Sequence, residues 1–128
     1  QRKGHDMSLK HYASPNSVIV GALKGIITTA HQHYPGNDAE YAVFRWTNRI
    51  ATIRGSGKND EVTVMGYLDV ISDQYLSGAN SIVNDIEDAL IGAGVIVTDI
   101  YDGGYDPEAN RFHMELSITV PMEVTHGS

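Results

Sequence analysis

The chain has 128 residues, of which 41% are hydrophobic and 20% are charged, and this balance is typical of one folded domain and excludes an intrinsically disordered chain. The absence of cysteine excludes disulfide frameworks, thiolate zinc sites and thiol nucleophiles. A formal net charge of −7 argues against direct nucleic-acid binding, which needs clustered Lys and Arg, and no apolar run approaches the ~18 residues of a membrane span.

Three segments are expected along the chain. Residues 1–13 form an N-terminal extension, residues 14–124 a single α+β domain, and residues 125–128 a C-terminal tail. Met7 offers a natural start, so the residues before it are interpreted as a remnant of expression, and the closing tail is interpreted in the same way. The fold argument therefore rests on the central segment.

The first predicted element is a helix that begins at Ser14-Pro15. Serine is a favoured N-cap, and proline at the first helical position loses only an N–H that has no intrahelical partner. Apolar residues at three- and four-residue steps extend this helix to about His31. They are Ile19, Ala22, Leu23, Ile26, Ile27 and Ala30. Gly21 and Gly25 lie inside the predicted helix, where we expect close approach of another backbone.

Two strands are predicted next. The turn-forming run at 34–38 precedes a β-favouring stretch at 41–47. A polar loop from Asn48 to Asp60, with Gly55-Ser56-Gly57 near its centre, then leads to a second strand at 62–71, where side chains alternate in character.

A second helix and two further strands complete the pattern. Ser77 is the predicted N-cap of the helix, and Gly92 or Gly94 ends it. Its apolar face consists of Ile82, Val83, Ile86, Ala89 and Leu90. A strand at 95–101 is broken by the Asp- and Gly-rich run 102–107. In the final strand, Phe112, Met114, Leu116, Ile118 and Val120 alternate with His113, Glu115, Ser117 and Thr119.

This order, α-β-β-α-β-β, predicts an α+β fold. Two helices packed on one face of a mainly antiparallel four-stranded sheet would bury both helix stripes and one side of every strand. Several apolar residues remain at outward strand positions, which indicates a subunit interface. They are Tyr41, Val43, Met65, Tyr67 and Ile71.

Two clusters could carry metal chemistry. His31 and His33 could share a metal ion, but a helix end is an ordinary place for histidine and the sequence nominates no third ligand. An acidic loop offers oxygen ligands for calcium but lacks the spacing of an EF-hand, so a solvated hairpin is favoured. Its acidic residues are Asp99, Asp102, Asp106 and Glu108.

Other catalytic patterns are not met. The run Gly55-Ser56-Gly57-Lys58 lacks the earlier glycine of a phosphate-binding P-loop and precedes a strand. No serine lies in a Gly-x-Ser-x-Gly motif. The sequence therefore predicts a protein that is not an enzyme and has no catalytic residue, cofactor or metal site.

Three stretches together resemble the tail-completion (tail terminator) family of siphovirus-type tailed bacteriophages. They are the opening helix, the strand at 41–46 with its loop, and the block from 62 to 90. In that block, Gly66-Tyr67-Leu68-Asp69-Val70-Ile71-Ser72-Asp73 ends a strand and leads into the amphipathic helix. An Asp-rich turn and a strand beginning Phe112-His113-Met114 follow. The similarity covers about Pro15 to Glu123.

The resemblance implies a non-enzymatic virion protein of the phage tail, assembled in the host bacterial cytoplasm. It implies a ring, usually a hexamer, that caps the tail tube and joins the tail to the head connector. The implied partners are further copies of the chain, the tail tube protein and the head–tail connector protein. Two alternatives stay open: another phage neck or minor tail component, and a small metal- or ligand-binding enzyme domain that would use His31, His33 or the loop from Asp99 to Glu108.

Five residues are candidate assembly contacts. Arg49, Arg54 and Lys58 concentrate positive charge in an otherwise acidic chain, on a loop that could become ordered against a partner's carboxylates. Tyr41 and Tyr67 occupy outward strand positions. A solvated hairpin connection is the alternative interpretation of the loop.

Overall fold

A computed structural model describes residues 14–53 and 59–125. Two helices and five strands occupy these residues. In chain order they are α1 (Pro15–Leu23), β1 (Thr29–His31), β2 (Glu40–Ile53), β3 (Asn59–Ser72), α2 (Ile82–Gly92), β4 (Ile96–Asp106) and β5 (Arg111–Thr125). The candidate contacts Arg54 and Lys58 lie outside the described residues.

The strands form one sheet in the order β1-β2-β3-β5-β4. β1 runs parallel to β2, whereas the other neighbouring pairs are antiparallel. The predicted four-stranded, mainly antiparallel sheet with element order α-β-β-α-β-β is therefore wrong. The sheet is five-stranded and mixed, because a short strand not predicted from the sequence lies between the first helix and β2.

The extra strand arises where the first helix was expected to continue. The helix ends at Leu23, and Gly25 adopts a left-handed backbone conformation with φ of 84°, which stops a helix. The apolar residues beyond it turn back, and Thr29–His31 pairs with β2. At Gly21 the expected close approach of another backbone is not found among residues 14–53 and 59–125, where a Cβ at this position would meet nothing within 4 Å.

The strands also run farther than predicted. The expected loop from Asn48 to Asp60 is strand up to Ile53 and again from Asn59, because Ile53 lies opposite Asp60 in the β2–β3 ladder. β4 likewise continues through the predicted break at 102–107 as far as Asp106. Two bulges in its pairing with β5 absorb the irregular residues.

The second helix begins later than predicted. Ser81 is its N-cap and accepts a hydrogen bond from the backbone N–H of Val83 at 3.3 Å. The predicted cap Ser77 instead donates its hydroxyl hydrogen to Asp102. Beyond the C-cap, Gly94 has a φ of 85°, which agrees with its predicted role in ending the helix.

The core lies between the two helices and one face of the sheet. Both helices and strands β2, β3 and β5 contribute fully buried side chains, and the alternation predicted for β5 is confirmed from Met114 to Val120. The largest are Phe44, Ile19, Leu23, Leu68, Ile86, Leu90, Leu116 and Ile118. Each such burial stabilises the fold by about 1.5–3 kcal/mol before entropy is counted.

A polar contact anchors α1 to β2. The indole N–H of Trp46 donates to the side-chain oxygen of Asn16 at 2.5 Å, which satisfies a partly buried donor. Among residues 14–53 and 59–125, no helix combines the length and the apolar character needed to cross a membrane.

Candidate functional site

The sheet face opposite the helices is the candidate site, and we call it the open face. Its residues alternate with the core residues along the strands and are half-buried or exposed. On β2, β3 and β5 they are Tyr41, Val43, Arg45, Met65, Tyr67, Asp69, Ile71, His113, Glu115, Ser117 and Thr119. The five apolar residues predicted to point outward all lie on this face. Sheet faces that keep apolar side chains accessible commonly contact other proteins.

A charge cluster occupies the middle of the open face. The ladder between β3 and β5 places Asp69 directly opposite Glu115, an arrangement of like charges that destabilises a sheet. Arg45 lies between them, with guanidinium nitrogens 3.5 Å from a carboxylate oxygen of each. His113 Nε2 lies 3.2 Å from the other oxygen of Asp69. The two carboxylates are thus partly neutralised by neighbouring side chains.

The pKa of Glu115 shows that this arrangement disfavours the ionised carboxylate. Burial raises the pKa of Glu115, the hydrogen bond and charge of Asp69 raise it further, and Arg45 and His113 oppose the shift. The Arg45 guanidinium also lies 4.7 Å from the ring centroid of Tyr67, within the range of a cation–π contact. The charged groups of Arg45, Asp69 and Glu115 therefore lie near the surface, where neighbouring side chains shield them partly from water.

An aromatic groove of about 730 Å³ lies at one end of the open face. Its walls are the segment after β1 and the β4–β5 hairpin. Tyr34 stacks on Tyr41 with ring centroids 4.4 Å apart, and Tyr105 lies 4.9 Å from Phe112. Aromatic walls with an open mouth suit contact with another macromolecule.

Glycine makes room for one wall of this groove. A Cβ at Gly103 would lie 2.8 Å from Nδ1 of His113, so the imidazole can lie against the β4 backbone only because residue 103 has no side chain. Gly104 lies opposite His113 in the ladder and has a φ of 80°. The sequence predicted a break in the strand at these glycines. In the structure they lie at the bulge between Asp102 and Gly104, which leaves room for the His113 imidazole.

The residues proposed as metal ligands have other partners. His31 stacks on Phe44 at 5.1 Å, and its Nδ1 lies 3.5 Å from the amide nitrogen of Asn16. His33 lies apart, at the aromatic groove. Within residues 14–53 and 59–125, no three metal-ligating side chains come together.

Two carboxylates of the acidic hairpin accept hydrogen bonds from its own backbone and so stabilise its turns. Asp102 accepts a hydrogen bond from the backbone N–H of Gly104 at 2.8 Å as well as from Ser77, and these bonds lower its pKa, with Ser77 the larger cause. Asp106 accepts from the N–H of Glu108 at 3.0 Å, closing the turn between β4 and β5.

The candidate assembly contacts that the structure describes fall in two places. Tyr41 and Tyr67 lie on the open face. Arg49 is exposed on β2 beyond a bulge, opposite the core residue Val64, and so lies on the other side of the sheet. Sequence reasoning missed the charge cluster, although the outward position of Glu115 and His113 was visible in the alternation of β5.

Comparison with known proteins shows the fold. No family model and no curated protein sequence matches the chain. Among solved structures, a chain from the virion of a native gene transfer agent (GTA) particle is similar, with a TM-score of 0.54 and 13% sequence identity. The similarity covers 85% of this chain and 87% of that chain, so the two share their architecture over most of their lengths.

Proposed function

We propose that this protein is a structural component of a phage-like virion, and that it is a tail-completion subunit. In this role, copies of the chain form a hexameric ring that caps the tail tube and joins it to the head connector. The protein acts by binding and not by catalysis, and it uses no cofactor. The observation that carries the proposal is the fold shared with the GTA virion chain over most of both chains.

The surface of the domain supports a role in assembly. A ring needs two different patches on each subunit, because neighbours meet head to tail. The chain offers the open face with its aromatic groove, and separately the edge strand β4, where Ile96 and Tyr101 are 51% and 64% exposed. Tyrosine is enriched at the centres of protein interfaces.

The direct test combines solution mass, imaging and binding. The purified chain is weighed by light scattering, imaged by negative-stain electron microscopy, and mixed with tail tubes and connectors from the same genome. We expect rings that bind the tube end and then the connector. A chain that binds the connector but not the tube end would support a different neck component.

Adding a chelator to the same samples tests the alternative that the chain is a metal-binding enzyme domain. Chelator is expected to leave the melting temperature and the ring unchanged, since the described residues gather no ligand set. A chain that stays monomeric, binds neither tail tube nor connector, and loses stability with chelator would overturn the proposal.

A further inference from the structure

The half of the open face next to β4 carries negative charge. Asp99 lies opposite Ser117 in the β4–β5 ladder, so its side chain belongs to the open face. Glu115 lies two residues before Ser117 on the same face of β5, which makes it a diagonal neighbour of Asp99, and such neighbours lie about 7–8 Å apart. Arg45 contacts Glu115 from β2, across the intervening strand β3. Asp99 therefore places a further carboxylate beside Glu115, on the side away from Arg45.

An exposed tyrosine borders these two carboxylates. Tyr101 lies directly opposite Glu115 in the ladder and is 64% exposed. Asp99 and Tyr101 are two residues apart on β4, so their side chains lie on the same side of the sheet. This part of the open face thus presents an aromatic ring beside negative charge. Such a surface suits lysine, whose aliphatic stem packs on apolar groups while its ammonium group pairs with carboxylates.

The outer surface of α1 has the complementary composition. α1 packs on the core side of the sheet, and its sequence Pro15–Leu23 contains no acidic residue. Val20 is 47% exposed, and Lys24, one turn later at the C-cap, is exposed as well. Both border a partly apolar hollow of about 420 Å³, which Ile26 and Ile27 also line. A lysine thus lies at the rim of a hollow on the opposite side of the domain from the open face.

We infer that the open face of one copy packs against the outer surface of α1 in the next copy, with Lys24 of the next copy reaching Asp99 and Glu115. Tyr101 of the first copy then enters the hollow beside Lys24. Charge complementarity favours a second copy as the partner, because one chain carries both halves of the contact. This inference rests on the proposed ring and names the contact that builds it.

The position of the two surfaces also selects the symmetry. They lie on opposite sides of one sheet, so the contact between copies is head-to-tail, as a ring requires. Two open faces packed against each other would instead oppose carboxylates to carboxylates. This repulsion disfavours a two-fold dimer through the open face.

Charge reversal tests the contact. Lys24→Glu and Asp99→Lys should each lose the ring at a concentration at which the wild type is assembled, because each variant opposes like charges. Lys24→Arg keeps the positive charge and should still form rings. Asp73→Lys, which makes the same charge change as Asp99→Lys just beyond β3, is the matched control and should also assemble.

Mixing the two reversed variants tests the head-to-tail geometry. The Lys24→Glu variant keeps an intact open face, and the Asp99→Lys variant keeps an intact α1 surface. One wild-type contact can therefore form between the two variants. Heterodimers should appear in light scattering at concentrations at which each variant alone is monomeric. A thermal melt of each variant establishes that it is folded.

The outcomes separate this inference from the proposed function. Wild-type rings together with rings from both reversed variants would overturn the inference and leave the proposed function standing. So would folded variants that lose the ring but form no heterodimer on mixing. Rings of Asp99→Lys that no longer bind tail tubes would assign the open face to the tube protein and overturn the inference. A wild-type chain that forms no ring, alone or on tail tubes, would overturn both.

Discussion

At the scale of single residues, the open face is defined by a charge conflict and its partial resolution. Asp69 and Glu115 oppose each other across two strands, and Arg45 contacts both at 3.5 Å with its side chain 44% exposed. Contacts of this length and exposure contribute little in water. A partner that covered the face would remove water and strengthen them. The same removal of water would strengthen the repulsion between Asp69 and Glu115 and would cost solvation of all the charges, so a partner would have to bring a compensating positive charge.

The raised pKa of Glu115 predicts a pH effect on stability. A carboxyl whose folded-state pKa lies above its unfolded value binds a proton more tightly when folded, so stability falls as pH rises from the ordinary value of 4.5 through the folded pKa. Glu115→Gln removes that loss. We expect the fall in melting temperature from pH 4.5 to neutrality to be smaller in this variant than in the wild type.

Glu108→Gln is the control for this measurement, because Glu108 is exposed in the turn between β4 and β5. It should follow the wild-type pH profile. Superimposable profiles for all three proteins would show that the environment of Glu115 does not oppose its ionisation.

At the scale of elements, the β2–β3 pairing depends on a glycine. Gly66 lies opposite Trp46, next to the register shift between Trp46 and Asn48. A Cβ at Gly66 would lie 2.0 Å from the carbonyl oxygen of Arg45, and a backbone atom inside a ladder has little freedom to move. The bulge and the glycine are therefore mutually dependent.

Gly66→Ala should accordingly lower the free energy of unfolding by about 3 kcal/mol or more, since overpacking against backbone is costly. Gly92→Ala is the matched control, because a Cβ there meets nothing within 4 Å at the end of α2. It should be neutral or stabilising by up to about 1 kcal/mol. Urea denaturation of both variants measures the difference, and equal free energies would contradict the bulge geometry.

The two faces of β5 predict opposite responses to a charge. Leu116 and Ile118 are 0% and 1% exposed, so replacing either with Asp should unfold the domain by placing an unpaired charge in the core. Thr119→Asp, on the open face, should fold with a small change in melting temperature. Equally mild thermal melts for Leu116→Asp and Thr119→Asp would refute the assigned parity.

The sequence predicts an element well when local spacing of apolar residues determines it, and poorly when pairing with a distant strand determines it. β5 was predictable because its alternation has a period of two that only a half-buried strand explains. The end of α1 was not predictable, because the apolar spacing beyond Gly25 suits a helix as well as a short strand. The segment becomes a strand because Thr29–His31 can pair with β2, a contact between segments that the local spacing does not reveal. Tyr41 and Tyr67 were placed by parity alone. The charge cluster needed the pairing of Asp69 with Glu115, which only the strand order supplies.

At the scale of the whole molecule, the exposed acidic residues of the edge strand β4 lie far across the sheet from Arg49 on β2. A net charge of −7 makes copies repel on average. Attraction between copies then depends on local apolar contacts and on local pairs of opposite charge. Assembly by such contacts is directional and weakens as salt screens the charges. This polarity would suit subunits that must form a closed ring and must not aggregate in other orientations.

The connection between β2 and β3 carries two basic residues, Arg54 and Lys58, in a chain whose net charge is −7. We expect this connection to serve assembly and not folding. Ile53 and Asp60 lie directly opposite each other, so replacing residues 54–59 with Asn-Gly joins them by a turn that hairpins favour. The melting temperature should change little, whereas ring formation and tail joining should fail.

A second variant, Arg54→Gln/Lys58→Gln at full length, separates the charge of the connection from its length. If charge is what the neighbour recognises, this variant should weaken rings as much as the shortened chain does, and salt should affect its assembly less than that of the wild type. Solution mass across a salt series makes the comparison. Normal rings and normal tail joining from both variants would remove the connection from assembly and leave it as a solvated turn.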